Sequence, residues 1–513
     1  MALSITMNDS NFNMSTGINV AYVSTDTILA PAVNGKYNFR FLVKATFNTS
    51  YSITPYTFQK TFTFTQQINP SHISGNFTGG TVFNFSEIYK TIVTPQITPS
   101  TLSDDQYNVP SEHSSIHTIP NKVVSFSKPL SIGLLAETNG YQQFRGVANV
   151  IRLQFYEMYS ETENGIPAIQ DGTNGTPNTL VTKYSYTIWG RGQEEDGVVF
   201  DFNPYKLDVG SVGKFLSSNY YPVRQGGEEI FYTNIGKNEY HTIAFLNRAV
   251  INANAEPFTI SVSYFTGAGS TGTLLGQLLI TNKAQTGGFY DTTASAMDTE
   301  TFYIYANAGL ENFQKNILNS DIQGLLPDSV QGGRDAIKSY AMWCQSSFSQ
   351  RVSSVYIFNV IEYCPKYEQS RLSYMNRFGA WEYITLNKER KDELNVKREY
   401  ITKPIISQNI GSAHITPSAI NIAYPLDVAK QGKMTTSVSS SITTTLFTDF
   451  LDDAGVEQIR DLMMSPQIHL LDGDNAKALV LKTSSYKMKR DKDRGLYSYD
   501  LKFEYANPKY RTT

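Results

Sequence analysis

Two cysteines in 513 residues leave no disulfide framework to read, and Cys344 and Cys364 lack the spacing of a metal-binding pair. Histidine is nearly as scarce. The six stand at 72, 113, 117, 241, 414 and 469, none beside a second ligand at zinc spacing. His113 and His117 are four apart, but in a Pro- and Ser-rich stretch rather than on a helix. No run of about 18 uninterrupted apolar residues occurs, so no membrane span is expected. The start, MALSITMNDS, has neither the basic n-region nor the apolar h-region of a secretory signal, which makes a reducing cytoplasm the expected place of synthesis. Charged residues amount to 17%, against about 25% in ordinary soluble domains, and they nearly cancel at −3. Such a balance encodes no general attraction to nucleic acid or anionic lipid.

What the chain does have is Tyr (33) and Phe (29), with abundant Thr, Ser and Asn. Aromatic and β-branched enrichment broken by Gly and Asn favours strands and turns. The period-2 mark of a half-buried strand is plain at 37–47, where Tyr37, Phe39, Phe41, Val43, Ala45 and Phe47 share a face. A second strand is expected at 59–66, with Phe62 and Phe64 inward. Gly79-Gly80 is expected to turn the chain into Val82, Phe83 and Phe85, and a short helical turn capped by Ser86 should follow. Further strands are expected at 123–126, 147–159, 184–189, 197–202, 240–245, 257–265, 273–281, 301–308, 353–363, 371–375, 381–386, 467–471, 478–483 and 496–505. One amphipathic helix is expected at 448–464, with Leu451, Val456, Ile459, Leu462 and Met463 on one face and Pro466 ending it. The expected fold is all-β: several β-sandwich-like domains in series, with that helix packed on the C-terminal sheet. The domains are placed at 1–121, 122–225, 226–330 and 331–513. Stretches 95–121 and 161–179 are expected as exposed loops, where contacts tend to sit.

Motifs for chemistry do not survive their context. Gly267-Ala268-Gly269-Ser270-Thr271-Gly272 fits GxGxxG, with Asp291 placed like a ribose ligand. A dinucleotide fold needs a helix next, and 273–281 reads as strand, so a glycine-rich hairpin is expected. Asp472-Gly473-Asp474-Asn475 resembles part of a calcium loop but lacks its later ligands, and is expected as a hairpin turn. Glu194-Glu195-Asp196 and Glu228-Glu229 supply carboxylates in pairs, yet nothing in the sequence sets two across a cleft. Basic residues at 482–494 (Lys482, Lys487, Lys489, Arg490, Lys492, Arg494) read as a hairpin tip that protects an edge. No catalytic residue, cofactor or metal is expected.

The most informative segment is 364–386, CPKYEQSRLSYMNRFGAWEYITL. Asn376, Arg377, Phe378 and Gly379 bend one apolar strand back against another, and a charged run, 388–398, follows. Phe378, Trp381 and Tyr383 are expected to fill a core or a subunit contact. Together with 39–47, 83–89, 214–222 and the helix–SPQ–strand unit at 462–470 leading into 484–486 and 501–507, this segment resembles virion structural proteins of tailed bacteriophages, especially phages of Bacteroidetes-type hosts. Stretches 95–121 and 161–179 have no counterpart in that resemblance.

The resemblance implies a tail-tip, baseplate or distal-tail component of the virion, made in the host cytoplasm. It would form a ring with itself and dock other tail proteins. The implied assembly contact is either the Trp381 corner (Phe378, Trp381, Tyr383) or the closing sheet (Tyr497, Tyr499). Two alternatives stay open. One is an adhesin that binds a host-surface glycan, and the other is a polysaccharide depolymerase using Glu194 or Glu195.

Overall fold

The computed structural model describes residues 3–7, 12–14, 19–28, 37–47, 60–67, 78–93, 123–125, 148–169, 181–191, 200–207, 212–221, 230–246, 259–281, 303–314, 322–346, 349–361, 367–402, 433–449, 451, 453–472, 475–482 and 498–506. They form an all-β structure of five sheets. Among them are three short α-helices, Ser86–Ile92, Leu310–Gln314 and Asp453–Met463.

The first core lies between two sheets. One is antiparallel, in the order Leu3–Met7, Val20–Ile28, Thr78–Asn84. The other runs Phe12–Met14, Val181–Ile188, Ala148–Ser160, Tyr37–Phe47, Lys60–Gln67. Tyr37–Phe47 forms as its alternation dictates, with Phe39, Phe41, Val43 and Ala45 buried. Phe64 packs against that core, whereas Phe62 on the same side is 36% exposed. Gly79 and Gly80 lie within a strand rather than at a turn. A Cβ at Gly80 would stand 2.3 Å from the Tyr22 hydroxyl, so the missing side chain lets that ring cross the sheet. The helix Ser86–Ile92 has no side-chain cap of its own; Ser86 Oγ instead accepts a hydrogen bond from the Asn19 amide at 2.9 Å.

The second core separates a seven-stranded sheet from a three-stranded one. The larger runs Tyr220–Tyr221, Ile230–Ile235, Val355–Val360, Ser339–Gln345, Thr259–Phe265, Leu274–Thr281, Ile322–Gly324. The smaller runs Thr242–Leu246, Tyr303–Asn307, Val123–Ser125. The four strands expected between 240 and 308 are therefore all present but shared between two sheets. The GxGxxG segment is the hairpin loop joining Thr259–Phe265 to Leu274–Thr281, with Gly269 and Gly272 at φ +66° and +81°, where glycine is unstrained.

The third core belongs to the C-terminal sheet, ordered Trp381–Leu386, Ser370–Met375, Ile468–Asp472, Asn475–Leu481, Asp500–Tyr505, Lys433–Phe447, Arg390–Thr402. Ile459 and Leu462 of the helix Asp453–Met463 are fully buried against it. Asp472 and Asn475 face each other across the hairpin expected there.

Strand pairing overrides the serial domain boundaries. Tyr37–Phe47 pairs with Ala148–Ser160 across 121/122, and Val123–Ser125 pairs with Tyr303–Asn307 across 225/226. Ile230–Ile235 pairs in parallel with Val355–Val360 across 330/331. Local hydrophobic periodicity marks a strand but not its neighbour, and these partners lie on the order of 100 residues apart.

Candidate functional site

The bend at 376–379 is built by one side chain. Asn376 Oδ1 accepts from the amides of Phe378 and Ala380, both at 2.9 Å, which closes the turn on itself. Gly379 takes φ +76°. The Asn376 amide nitrogen then donates outward, to the Leu216 carbonyl at 2.8 Å and to Glu382 Oε1 at 3.0 Å. All four hydrogen-bonding positions of that side chain are filled.

Glu382 is the centre of the arrangement. It is 4% exposed, and its carboxylate also accepts from the Ser218 amide (2.5 Å), the Ser218 hydroxyl (2.7 Å) and the Tyr374 hydroxyl (2.8 Å). Burial, then the nearby Glu382 charge, holds the Tyr374 phenol well above its ordinary value, so it stays a donor. Tyr374 reaches the Gln458 carbonyl of the helix as well, at 3.3 Å, and Gln458 Nε2 donates to the Tyr383 carbonyl at 3.1 Å. The crossing segment 214–222 and the corner thus meet at one carboxylate.

Two further charged groups complete the junction. Arg371, 5% exposed, pairs with Glu239 at 2.7 Å and donates to the Tyr240 carbonyl and to His241 Nδ1, each at 3.1 Å. Its guanidinium lies 5.0 Å from the Tyr383 ring centroid. Asp461, on the helix, accepts from Arg191 Nη2 at 2.5 Å and from the Arg377 amide at 2.9 Å. Removal from water, with Glu382 adding like charge, raises its carboxyl to about 7 despite Arg191. Gly190 sits against this seam, where a Cβ would be 2.9 Å from the Arg377 carbonyl oxygen and 3.0 Å from Met14 Cγ. The SPQ unit closes the far side: Ser465 Oγ accepts from the Met375 amide at 3.0 Å and donates to the Gln467 carbonyl at 2.7 Å.

The described residues of three segments distant in sequence, 214–221, 367–386 and 462–470, therefore converge on one buried polar junction. It joins all three cores. Met375, Phe378, Ala380, Trp381 and Tyr383 belong to the first core, while Leu372, Tyr374, Ile384 and Leu386 belong to the third. Tyr383 also hydrogen-bonds Thr242 at 2.6 Å and tilts against His241 at 4.3 Å, beside the second core.

This corrects the expected assembly contact. Phe378, Trp381 and Tyr383 are 2%, 3% and 2% exposed and pack inside their own chain, so the folded molecule offers none of them to a partner. Of the two roles open for them, the core is the one they fill. Tyr499 is 6% exposed in the third core, and Tyr497 lies outside the described residues. So do Glu194, Glu195, Asp196, Glu228, Glu229, His113, His117, Asp291, Cys364, the whole of 95–121 and the basic residues 487–494. Lys482 is described, and forms an ion pair with Glu504. Of 161–179, residues 161–169 are described; they form a turn and a two-strand contact, with Ile166 fully in solvent. Cys344 is buried, and burial pushes its thiol up. Among the described residues, no group of three or more His, Cys, Asp or Glu is arranged to hold a metal, and no helix is long and apolar enough to cross a membrane.

The exposed counterpart of the junction is an arm. Arg390–Thr402 and Lys433–Phe447 pair along 13 positions, and a strand of this length extends about 40 Å. From Lys391 to Thr402 every side chain is exposed, and burial returns only at the base with Thr444 and Leu446. The sequence shows this stretch only as a charged run, because a strand solvated on both faces carries no hydrophobic alternation. The Thr- and Ser-rich run 435–445 was the available signal, through its β-branched residues.

No protein-family model matches this sequence, and no match is found among curated proteins.

Proposed function

We propose that this chain is a structural subunit of a bacteriophage tail, at the tail tip, baseplate or distal-tail ring. It assembles with further copies and docks neighbouring virion proteins. One observation carries the reading: the described residues of segments 214–222, 364–386 and 462–470, which bear the resemblance to tail proteins, meet in a single buried junction next to an exposed β-arm. The carboxylates Glu382 and Asp461 and the Asn376 side chain are each hydrogen-bonded to other elements of the chain, which makes the junction a weld. A weld of this kind passes load between three cores, and an arm with open backbone along its edge gives neighbours something to pair with.

Mass spectrometry of purified virions tests the assignment. The chain is expected among the stoichiometric tail proteins, and antibodies to it should label the tail end in negative stain. Absence from mature particles overturns the reading. So does release of sugar from host-envelope polysaccharide by the purified chain, which would establish the depolymerase instead.

A further inference from the structure

We propose that the outer edge of the arm pairs with the same edge of a second copy, antiparallel, about a two-fold axis passing through Asn395. Arg390–Thr402 is the last strand of its sheet, and among the described residues it is bonded on one side only, to Lys433–Phe447. The single irregularity of that pair falls on the inner strand, at Thr436, so the outer strand runs straight and regular. An open edge of this kind is a template for another strand, and natural edges are blunted by charge, proline or a bulge.

Here the charges are arranged to attract a copy of themselves. In the order Lys391-Asp392-Glu393-Leu394-Asn395-Val396-Lys397-Arg398-Glu399, reflection about Asn395 sets Glu393 opposite Lys397, Asp392 opposite Arg398, and Lys391 opposite Glu399. The two-fold axis repeats each pair, and Leu394, 61% exposed, meets Val396, 43% exposed. Directly opposed residues of an antiparallel pair share a face, and opposite charges there stabilise while like charges oppose. A two-fold pairing must keep each side chain on its own face, so competing registers differ by two residues. One such slip sets Glu393 against Glu399. The other sets Lys391 against Lys397 and Arg390 against Arg398. Of these three registers, the one centred on Asn395 alone sets every charge between Lys391 and Glu399 opposite its counter-charge.

Existing contacts leave the inner pair available. Asp392 already accepts from Arg390 and Thr444, Lys391 lies over the Phe447 ring, and Glu399 accepts from Ser437. Glu393, Lys397 and Arg398 have no hydrogen bond or ion pair among the described residues. The inference does not depend on a role in a phage tail, because it is read on the purified chain alone.

Sedimentation velocity and native mass spectrometry test it. The parent chain is expected to dimerise, and to do so at least tenfold less tightly at high salt, where screening acts within about 3 Å. Glu393→Lys alone, or Lys397→Glu alone, sets like charges opposite twice per dimer and should each leave monomers. Mixing the two variants restores both pairs and should give a heterodimer, and the double swap Glu393→Lys with Lys397→Glu should dimerise with itself. Both positions are exposed, so thermal melts of the variants should match the parent. A parent that stays monomeric at the highest attainable concentration overturns the proposal. So does an oligomer indifferent to the single changes, or a mixture that fails to pair.

Discussion

At the scale of single residues, the junction works because its buried carboxylates, Glu382 and Asp461, accept from donors on other elements. Glu382 takes four hydrogen bonds from Ser218, Tyr374 and Asn376, and the penalty for burying a carboxylate is offset only by such company. Asp461 is less well compensated, and its raised carboxyl gives a pH signature. Its value is about 7 folded against 3.8 unfolded, so between about pH 4 and 7 the folded chain binds the extra proton. Stability from this group is present at the acid end of that window and is lost as pH rises through 7. His469 is shifted the other way, to about 4 by burial, and its stability is lost as pH falls. Asp461→Asn removes the first effect and keeps the second, so His469 cancels from the comparison. The stability of the parent minus that of Asp461→Asn should therefore fall by up to a few kcal/mol between pH 4 and 8. Denaturant midpoints across that range measure it, and a difference independent of pH would mean that Asp461 stays ionised throughout.

At the scale of elements, what the sequence revealed depended on which faces a strand buries. Trp381–Leu386 was legible to the residue through the strand-favouring side chains of Trp381, Tyr383, Ile384 and Thr385, and the GxGxxG and Asp-Gly hairpins because glycine chemistry dictates them. The helix was legible too, although it starts at Asp453 and not at 448. The arm was not, since neither of its faces is dry. Neither was Ser218, which has no local pattern to mark it and gains its role from a carboxylate 164 residues away. Because the arm buries little, it should contribute little to stability. Replacing residues 394–442, whose ends Leu394 and Ile442 face each other, by an Asn-Gly turn should leave the melting temperature within about 2 °C of the parent. Calorimetry checks this, and a large drop would show that the arm supports the cores.

At the scale of the whole molecule, the described residues form a knot of shared sheets rather than beads on a string. Tyr37–Phe47 is hydrogen-bonded to Ala148–Ser160 on one side and Lys60–Gln67 on the other, and Val181–Ile188 completes the same sheet. Fragments cut at 121/122 and 225/226 each carry only part of the first core, which also takes Met375, Phe378, Ala380, Trp381 and Tyr383. Fragment 1–121 and fragment 122–225 should each fail to give a cooperative melt by circular dichroism, whereas co-expression of 1–121 with 122–513 should recover it. Independent folding of either would show that the shared sheet is dispensable.

Trp381–Leu386 has no water side. Alternate residues answer to different interiors, so the insertion of a single residue would exchange the two sets and wreck both at once. Asn387, Lys388 and Glu389 alone separate this strand from an arm whose outer side chains are all exposed from Lys391 to Thr402. A part that tolerates nothing and a part free to be rewritten thus stand side by side on the chain, so the edge pairing proposed for the arm could diverge while the frame stays fixed.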